Sequence, residues 1–255
     1  TTLRSQPLRG EVDAHFFVSL ATYKLDVAKL ESNARTLVAY YRTPLRKNEP
    51  PALSVTAAAL DDTAPPPDTA LSCRAPGLLI NTNTLDEFKE RDKAALLAES
   101  ARLLHDDIAS GAAWEEPSRL ARFLLFTFAD LKTHHFYYWF AVLAFAHAPP
   151  PLAPPPRRLE AVLGAEAAAA LAESHAGYAR VAGASARGYF AVRLNGGAPT
   201  VVPLARWREW AAAPDGSEMW LAFCDPAPNV EAPGWPIRNL LSLAATALPP
   251  PSSAS

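Results

Sequence analysis

Runs of consecutive prolines constrain this chain more than any other feature of its sequence. Proline fixes φ and lacks the amide hydrogen that helices and sheets use, so such runs cannot enter a helix interior or a central strand. The longest run, APPPLAPPPRR, covers residues 148–158, and shorter ones lie in a loop at 61–69 and at the end of the chain. We therefore predict a first subdomain at 1–147, a proline-rich linker at 148–158, a second subdomain at 159–247 and a tail at 248–255.

The first subdomain shows both helical and strand periodicities. Thr84 and Glu87 have the spacing of a capping box, which predicts a helix from Thr84 to about Ile108 with one apolar stripe. Short segments rich in Val, Leu, Tyr and Phe predict strands. We expect a helix at 13–30 and strands at 36–41, 53–60, 78–80, 123–128 and 136–145.

The second subdomain begins with an alanine-rich segment that predicts a helix at 159–181. Asn195-Gly196-Gly197 indicates a hairpin turn between strands at 189–194 and 200–202, because glycine readily adopts positive φ. We expect a helix at 204–213, a strand at 219–223 and a last segment at 236–247. Helices that alternate with strands predict an α/β fold, here two layered α/β subdomains with mixed sheets joined by the linker.

Composition excludes several classes of function. The chain has 255 residues and a formal net charge of -2, which offers no basic footprint for nucleic acid. The longest apolar run has 11 residues (136–146), whereas a membrane-spanning helix needs roughly 20. We therefore expect no nucleic-acid partner and no membrane insertion. The two cysteines stand far apart without a CxxC pattern, which favours a reducing, cytoplasmic location.

Motifs for catalysis or cofactor binding are missing from this sequence. No two glycines have the G-x-G spacing of a nucleotide-binding loop. His134 and His135 are adjacent, so their side chains should point in different directions and not converge on a metal. Cys224 is followed by Asp and Pro, which do not activate a thiol, and Cys73 lies in a loop near Arg74; we expect both to be small core residues. We predict no catalytic residue, no metal site and no cofactor.

An aromatic stretch near the middle of the chain, FTFADLKTHHFYYWF at residues 126–140, stands out. On a strand, Phe136, Tyr138 and Phe140 would line one face, and Tyr137 and Trp139 the other. Two interpretations remain open at this point. The strand could be buried on both sides, or one face could be a binding groove, because Tyr and Trp are enriched at contact surfaces.

These residues resemble the N-terminal domain of the ubiquitin-like-modifier-activating enzymes of autophagy. The similar segments are YKLD at 23–26, NTNTLDEFK at 81–89, the aromatic stretch at 126–140, Asp225-Pro226 and PGWPIRN at 233–239. The resemblance extends from about residue 10 to 245 and implies two α/β subdomains. It also implies that ATP, zinc and the catalytic cysteine belong to a C-terminal domain that dimerises in the parent enzyme. The last part of the second subdomain is expected to be truncated.

The resemblance implies a function in partner recruitment. Such a domain recruits the autophagy conjugating enzymes, so that activated ubiquitin-like modifiers can be transferred to them. We therefore expect partner contacts at Trp139, which matches the tryptophan of the family's FYYW, and at Tyr138 and Phe136. Lys132 could attract an acidic segment of the partner.

The resemblance also implies a location, while two other functions stay open as alternatives. It places the chain in the cytoplasm, with recruitment to the site of autophagosome assembly. One alternative is an independent enzyme that works between the two halves with Cys224 or with His134 and His135. Another is a fragment without function.

Overall fold

A six-stranded mixed sheet forms the larger layer of the fold. The computed structural model describes residues 2–44, 46, 51–61, 63–67, 71–227, 229 and 232–248. The strands are β1 (Arg9–Val12), β2 (Arg35–Tyr41), β3 (Ala52–Val55), β4 (Cys73–Thr82), β5 (Phe123–Asp130) and β6 (His135–Val142). Their order is β1-β3-β2-β4-β5-β6. β1 with β3 and β4 with β5 are parallel pairs, and the other neighbours are antiparallel.

A second sheet of three antiparallel strands follows. It contains β7 (Tyr189–Asn195), β8 (Ala198–Pro203) and β9 (Glu218–Phe223), in the order β8-β7-β9. Gly196 and Gly197 have φ values of 57° and 87° and form the turn between β7 and β8. The predicted hairpin and the predicted α/β class with mixed sheets are both confirmed.

Helices cover the two sheets. In chain order they are α1 (Ala14–Tyr23), α2 (Leu85–Glu90), α3 (Lys93–Ala109), α4 (Ala112–Glu115), α5 (Leu159–Leu163), α6 (Ala165–Val181), α7 (Gly183–Arg187), α8 (Ala205–Ala212) and α9 (Pro236–Ala247). The Asp13 side chain accepts a hydrogen bond from the amide of His15 at 2.9 Å and so caps α1. α1 continues into a π-helical turn at Lys24–Ala28, so the predicted helix at 13–30 exists but changes its winding. In the described part of the chain, no helix is long and apolar enough to span a membrane.

The helix predicted from Thr84 to Ile108 is wrong as a single element. Thr84 caps α2 through a 3.1 Å hydrogen bond from the amide of Glu87. The chain then leaves helical geometry at Arg91, and Asp92 accepts hydrogen bonds from two amides that begin α3. A second N-cap eight positions after the first therefore starts a new helix. The predicted stripe also fails at Leu103, whose side chain is 41% exposed.

Several further elements differ from the prediction, among them the short strand expected at 78–80, which is part of the ten-residue β4. The single helix expected at 159–181 is divided at Gly164, whose φ of 86° interrupts the helical winding. The short segment Arg9–Val12 forms β1, a strand that the sequence did not indicate, because its pairing with β3 is a long-range contact. The strand expected at 53–60 ends at Val55, and a 3₁₀ turn at Ala57–Leu60 follows.

The structure describes the whole of the predicted linker but only one residue of the predicted tail. Residues 148–158 run without helix or paired strand, as the prolines require. An isolated bridge joins Leu152 to Thr2, and the Leu3 amide donates to the Pro151 carbonyl at 2.8 Å. The predicted tail lies outside the described residues apart from Leu248.

One apolar core joins the two sheets. Leu37, Leu125, Tyr189 and Leu243 belong to a single buried cluster that also includes aromatic side chains from α4 and α8. Trp114 of α4 and Trp207 of α8 stack with ring centroids 5.7 Å apart. The two halves of the chain therefore bury their apolar surface against each other, and the boundary at 148–158 stays a prediction.

A buried asparagine connects α9 to the larger sheet. Asn239 is 1% exposed. Its Nδ2 donates to the carbonyls of Leu120 and Leu143 at 2.7 and 2.8 Å, and its Oδ1 accepts from the amide of Phe145 at 3.1 Å. Three backbone groups that would otherwise be buried without partners are satisfied by this one side chain.

Replacing Asn239 by alanine should therefore destabilise the chain strongly. We expect Asn239→Ala to lower the free energy of unfolding by about 3 kcal/mol, because buried carbonyls and an amide lose their partner. Asn33, an exposed asparagine whose side chain bonds to the exposed Glu31, provides a matched control, and Asn33→Ala should change the free energy of unfolding by less than about 0.5 kcal/mol. Urea denaturation of both variants is the measurement, and similar losses in the two would contradict the role of Asn239.

The capping box and the strand core should differ in their contributions to stability. Thr84 makes one exposed cap hydrogen bond, so Thr84→Ala should cost about 1 kcal/mol. Phe126 is 0% exposed and stacks on Phe88 at 4.8 Å, so Phe126→Ala should cost roughly 3–5 kcal/mol. Chemical denaturation compares the two variants. Equal losses would show that Phe126 does not carry the packing described here.

Candidate partner-binding site

The hairpin of β5 and β6 carries the four residues that the sequence singled out for partner binding. β6 is the outer strand of the larger sheet and pairs with β5 alone among the described strands. Asp130 shapes the turn, because its Oδ1 accepts from the amides of Lys132 and Thr133 at 3.0 and 3.3 Å. His134 completes the turn with a positive φ of 55°. Lys132 is therefore exposed at the tip of a hydrogen-bonded turn.

One face of β6 packs against α1. Phe136 and Tyr138 both contact the ring of Phe17, with centroid distances of 5.0 and 5.6 Å. Phe140 continues this row and stacks on Phe123 at 5.2 Å. Phe136 and Phe140, at the two ends of this row, are partly buried, whereas Tyr138 between them keeps 48% of its surface exposed.

The opposite face of β6 carries Tyr137 and Trp139, so the predicted alternation is confirmed. Trp139 lies directly across from Phe126 in the β5–β6 register. It is partly buried and packs against a small apolar cluster of Leu96, Leu124 and Phe126. Tyr137, 40% exposed, lies over Phe128 at 6.0 Å.

The four predicted residues therefore do not line one groove. Trp139 is on one face of the sheet, Phe136 and Tyr138 are on the other, and Lys132 is on the turn at the end of the hairpin. What they share is the strand edge itself. We call residues 136–140 the aromatic edge, since a ligand that follows this edge can reach side chains on both faces.

A cleft that sequence reasoning missed lies on the same face as Trp139. Its volume is about 770 Å³, and its floor includes Ile80, Leu96 and Phe126, which belong to or pack against the cluster that Trp139 contacts. The cleft is at the carboxyl ends of the parallel strands β4 and β5, the usual position of ligand sites in parallel sheets. Its charged lining is mainly acidic: Glu87, Glu90, Arg91, Asp92 and Glu99.

A partly hidden lysine supports the wall of this cleft. The Lys24 ammonium donates to the Asn83 side-chain oxygen at 2.8 Å, and Asn83 in turn donates to the Leu30 carbonyl at 2.8 Å. Burial lowers the pKa of Lys24, and the nearby Glu87 carboxylate acts in the opposite direction. The YKLD segment singled out in the sequence thus holds the π-helical turn against the start of α2. Two features of the sequence could have located this cleft, the end of strand β4 and the Thr84 capping box that follows it.

The residues proposed for a rival enzymatic site do not come together. His134 and His135 are exposed on the β5–β6 turn, where His135 contacts Thr133 at 2.9 Å. Cys224 instead follows β9 in the smaller sheet. Cys73 is a fully buried core residue, as predicted, whereas Cys224 packs at the edge of the core with its sulfur 3.7 Å from His175 Nε2. Within the described ranges, no three His, Cys, Asp or Glu side chains converge as a metal site.

Known proteins resemble this chain along most of its length. The ubiquitin-like modifier-activating enzyme ATG7 of Rattus norvegicus is 35% identical over 244 residues, which cover 95% of this chain and 34% of the relative. The Homo sapiens enzyme of the same name is 33% identical over 244 residues with the same coverage. The chain thus spans about a third of the length of the curated relatives it matches.

Solved structures share the fold. The crystal structure of the Kluyveromyces marxianus Atg7 N-terminal domain superimposes with a TM-score of 0.64 at 19% identity, covering 97% of this chain and 82% of that one. The same domain in its complex with Atg10 gives a TM-score of 0.58 at 18% identity, with 98% and 80% covered. The family described as ubiquitin-like modifier-activating enzyme ATG7 N-terminus matches residues 3–253. Because that match covers nearly the whole length, the chain belongs to the ATG7 N-terminus family.

Proposed function

We propose that this chain recruits the conjugating enzymes of the autophagy ubiquitin-like systems and that the aromatic edge is its docking site. The observation that carries the proposal is the position of β6. It is the outer strand of the sheet and exposes Tyr137 and Tyr138 on opposite faces, at 40% and 48%. Exposed aromatic side chains at one strand edge are the composition expected of a binding hot spot.

The geometry of an outer strand explains how one segment could use both faces. The outward backbone groups of such a strand are open to an added strand, and pockets for alternate side chains then supply specificity. Trp139 is held in place by its packing on Phe126, so little rotamer entropy is lost when a partner covers it. Tyr138 is braced in the same way by Phe17 on the other face.

Charges around the edge favour a partner segment of mixed sign. Lys132 on the exposed turn would attract an acidic residue, whereas the acidic cleft on the face of Trp139 would attract a basic one. A relative with this fold was solved in complex with Atg10, which supports a partner of that kind for this chain. Transfer of an activated modifier to that partner would use the remainder of the longer proteins that this chain resembles.

Trp139→Ala should weaken binding to the partner by about 2 kcal/mol or more, roughly thirtyfold in Kd. Titration calorimetry with the orthologous conjugating enzyme gives the affinity, and a melting curve on the same variant reports its stability. Trp220→Ala is the matched control, because Trp220 is a partly buried tryptophan on the outer strand β9 of the other sheet. We expect this control to bind normally.

A second variant separates docking from packing. Tyr138 is half exposed, and among the described residues its one aromatic contact is with Phe17, so Tyr138→Ala should weaken binding about tenfold while lowering stability by less than about 1 kcal/mol. Unchanged affinity in folded Trp139→Ala and Tyr138→Ala variants would reject the aromatic edge as the docking site. Equal loss of affinity in Trp220→Ala would also reject it.

Adenylation of a modifier by this chain alone should not occur. A phosphate-binding loop needs closely spaced glycines that let backbone amides approach the phosphates, and no G-x-G pair exists in this sequence. Pyrophosphate exchange with a purified autophagy modifier and ATP should stay at the level of a blank without protein. Exchange above that level would favour the independent enzyme instead.

A further inference from the structure

Two thiols and an imidazole meet where the two sheets join. Cys73 begins β4 of the larger sheet, and Cys224 directly follows β9 of the smaller one. Cys73 is 0% exposed, whereas Cys224 is partly exposed. Each thiol shifts the pKa of the other, and His175 Nε2 of α6 lies 3.7 Å from the Cys224 sulfur.

Backbone contacts around Gly188 hold the two cysteines together. The Cys224 amide donates to the Gly188 carbonyl at 2.9 Å, and its thiol lies 3.4 Å from the Arg187 carbonyl oxygen. On the other side, a Cβ added to Gly188 would be 3.4 Å from the Cys73 Cβ and 2.5 Å from the Tyr41 hydroxyl. The 3.4 Å separation from Cys73 is an ordinary van der Waals contact, whereas the 2.5 Å separation from the Tyr41 hydroxyl is a collision, so glycine at this position leaves room for Tyr41 of β2.

A buried arginine secures the same junction. Arg187 is 3% exposed and donates to the carbonyl of Ser72, the neighbour of Cys73, at 2.8 Å. It also donates to the carbonyl of Ala179 in α6 at 3.0 Å. The main-chain carbonyls of Ser72, Ala179 and Gly188 thus accept the hydrogen bonds that hold the segments carrying the two cysteines. The proximity of the cysteines therefore does not depend on mobile side chains.

The surroundings give the two thiols different chemical character. The hydrogen bond from Cys73 lowers the pKa of Cys224, with further contributions from His175 and the positive charge of Arg187, while burial opposes them. The same thiol–thiol hydrogen bond, together with burial, raises the pKa of Cys73. The hydrogen bond with Cys224 also raises the pKa of His175. Cys224 is therefore the thiol of the pair that loses its proton more readily, and Cys73 is the one that keeps it.

We propose that Cys224 is an oxidation site for hydrogen peroxide and that Cys73 is its resolving thiol, so that oxidation forms a disulfide between the two sheets. Cys224 is the exposed member of the pair and Cys73 the protected one, as this division of roles requires. The proposal is independent of partner docking, since the aromatic edge is on β6.

The chemistry takes place in two balanced steps. The Cys224 thiolate attacks one oxygen of the peroxide, the O–O bond breaks, and the leaving hydroxide takes a proton from His175 to become water. Cys224 is then a sulfenic acid, oxidised by two electrons. The Cys73 sulfur next attacks the Cys224 sulfur, the S–O bond breaks, and the departing hydroxide leaves as water with the Cys73 proton.

Peroxide treatment of the reduced chain tests the proposal directly. Mass spectrometry should show the loss of two hydrogen atoms from the monomer, and the digested, non-reduced sample should contain one peptide pair joined through Cys73 and Cys224. The disulfide closes a loop of more than 100 residues, so the melting temperature should rise by about 5–10 °C and return on reduction. Uptake of oxygen at Cys224 without a cross-link, or a disulfide between two chains, would overturn the proposal.

Single-cysteine variants separate the two roles. Cys73→Ser should stop at the sulfenic acid, which dimedone traps at Cys224. Cys224→Ser should leave Cys73 unreacted and abolish the cross-link. Equal reactivity of Cys73 and Cys224 towards peroxide in these variants would contradict the assignment.

Alkylation uses the chain without substitutions, so its result does not depend on whether a variant folds. Iodoacetamide should label Cys224 far faster than Cys73, and labelling should persist below pH ~8.5, the ordinary pKa of a thiol. The titratable and charged groups that face Cys224 are Tyr41, Cys73, His175, Tyr178, Arg187, Tyr189 and Asp225. Labelling of Cys224 that falls away below pH ~8.5 would show an ordinary thiol and overturn the proposal.

Discussion

The hydrogen bonds of Asn239 are the constraint on which the arrangement of the two halves depends. Its side chain satisfies three buried backbone groups of the larger sheet and its flanks, and it does so from a helix at the far end of the sequence. An apolar contact alone would let α9 slide, whereas three directional bonds fix its register. With α9 in place, Leu240 and Leu243 close the common core over Leu120 and the two stacked tryptophans. The Asn239 site thus converts two separate layers into one packed body.

The hydrogen bonds of Asn239 also hold the end of the strand that carries the aromatic edge. Two of the three groups bound by Asn239, the Leu143 carbonyl and the Phe145 amide, belong to the segment that leaves β6. The Leu143 amide is also bonded, to the Arg122 carbonyl at 3.0 Å just before β5. An outer strand with a single neighbour would otherwise fray at its end. Anchoring at Leu143 fixes the end of this strand, and a docking edge requires such rigidity.

The junction of Cys73 and Cys224 has the same origin in the packing of one sheet on the other. Gly188 leaves room for Tyr41 beside Cys73, and Arg187 binds the carbonyl of Ser72 next to Cys73. The proposed docking edge and the proposed oxidation site therefore occupy separate parts of the molecule, β6 and the start of β4, although both depend on the shared core. Disulfide formation would reinforce the junction without altering the exposed aromatic side chains.

Local chemistry in the sequence determined many of the elements. The Thr84 capping box, the Gly196-Gly197 turn, the lack of helix in the proline run at 148–158 and the alternation of side chains on β6 could all be predicted, because each depends on neighbours a few positions away. The sequence alone also showed the family resemblance of the aromatic stretch and of the segment that ends at Asn239. Long-range packing decided the rest. The pairing of β1 with β3, the cleft beside Trp139, the bonds of Asn239 and the contact of Cys73 with Cys224 join residues far apart in the chain, and no local pattern encodes which distant backbone will come close.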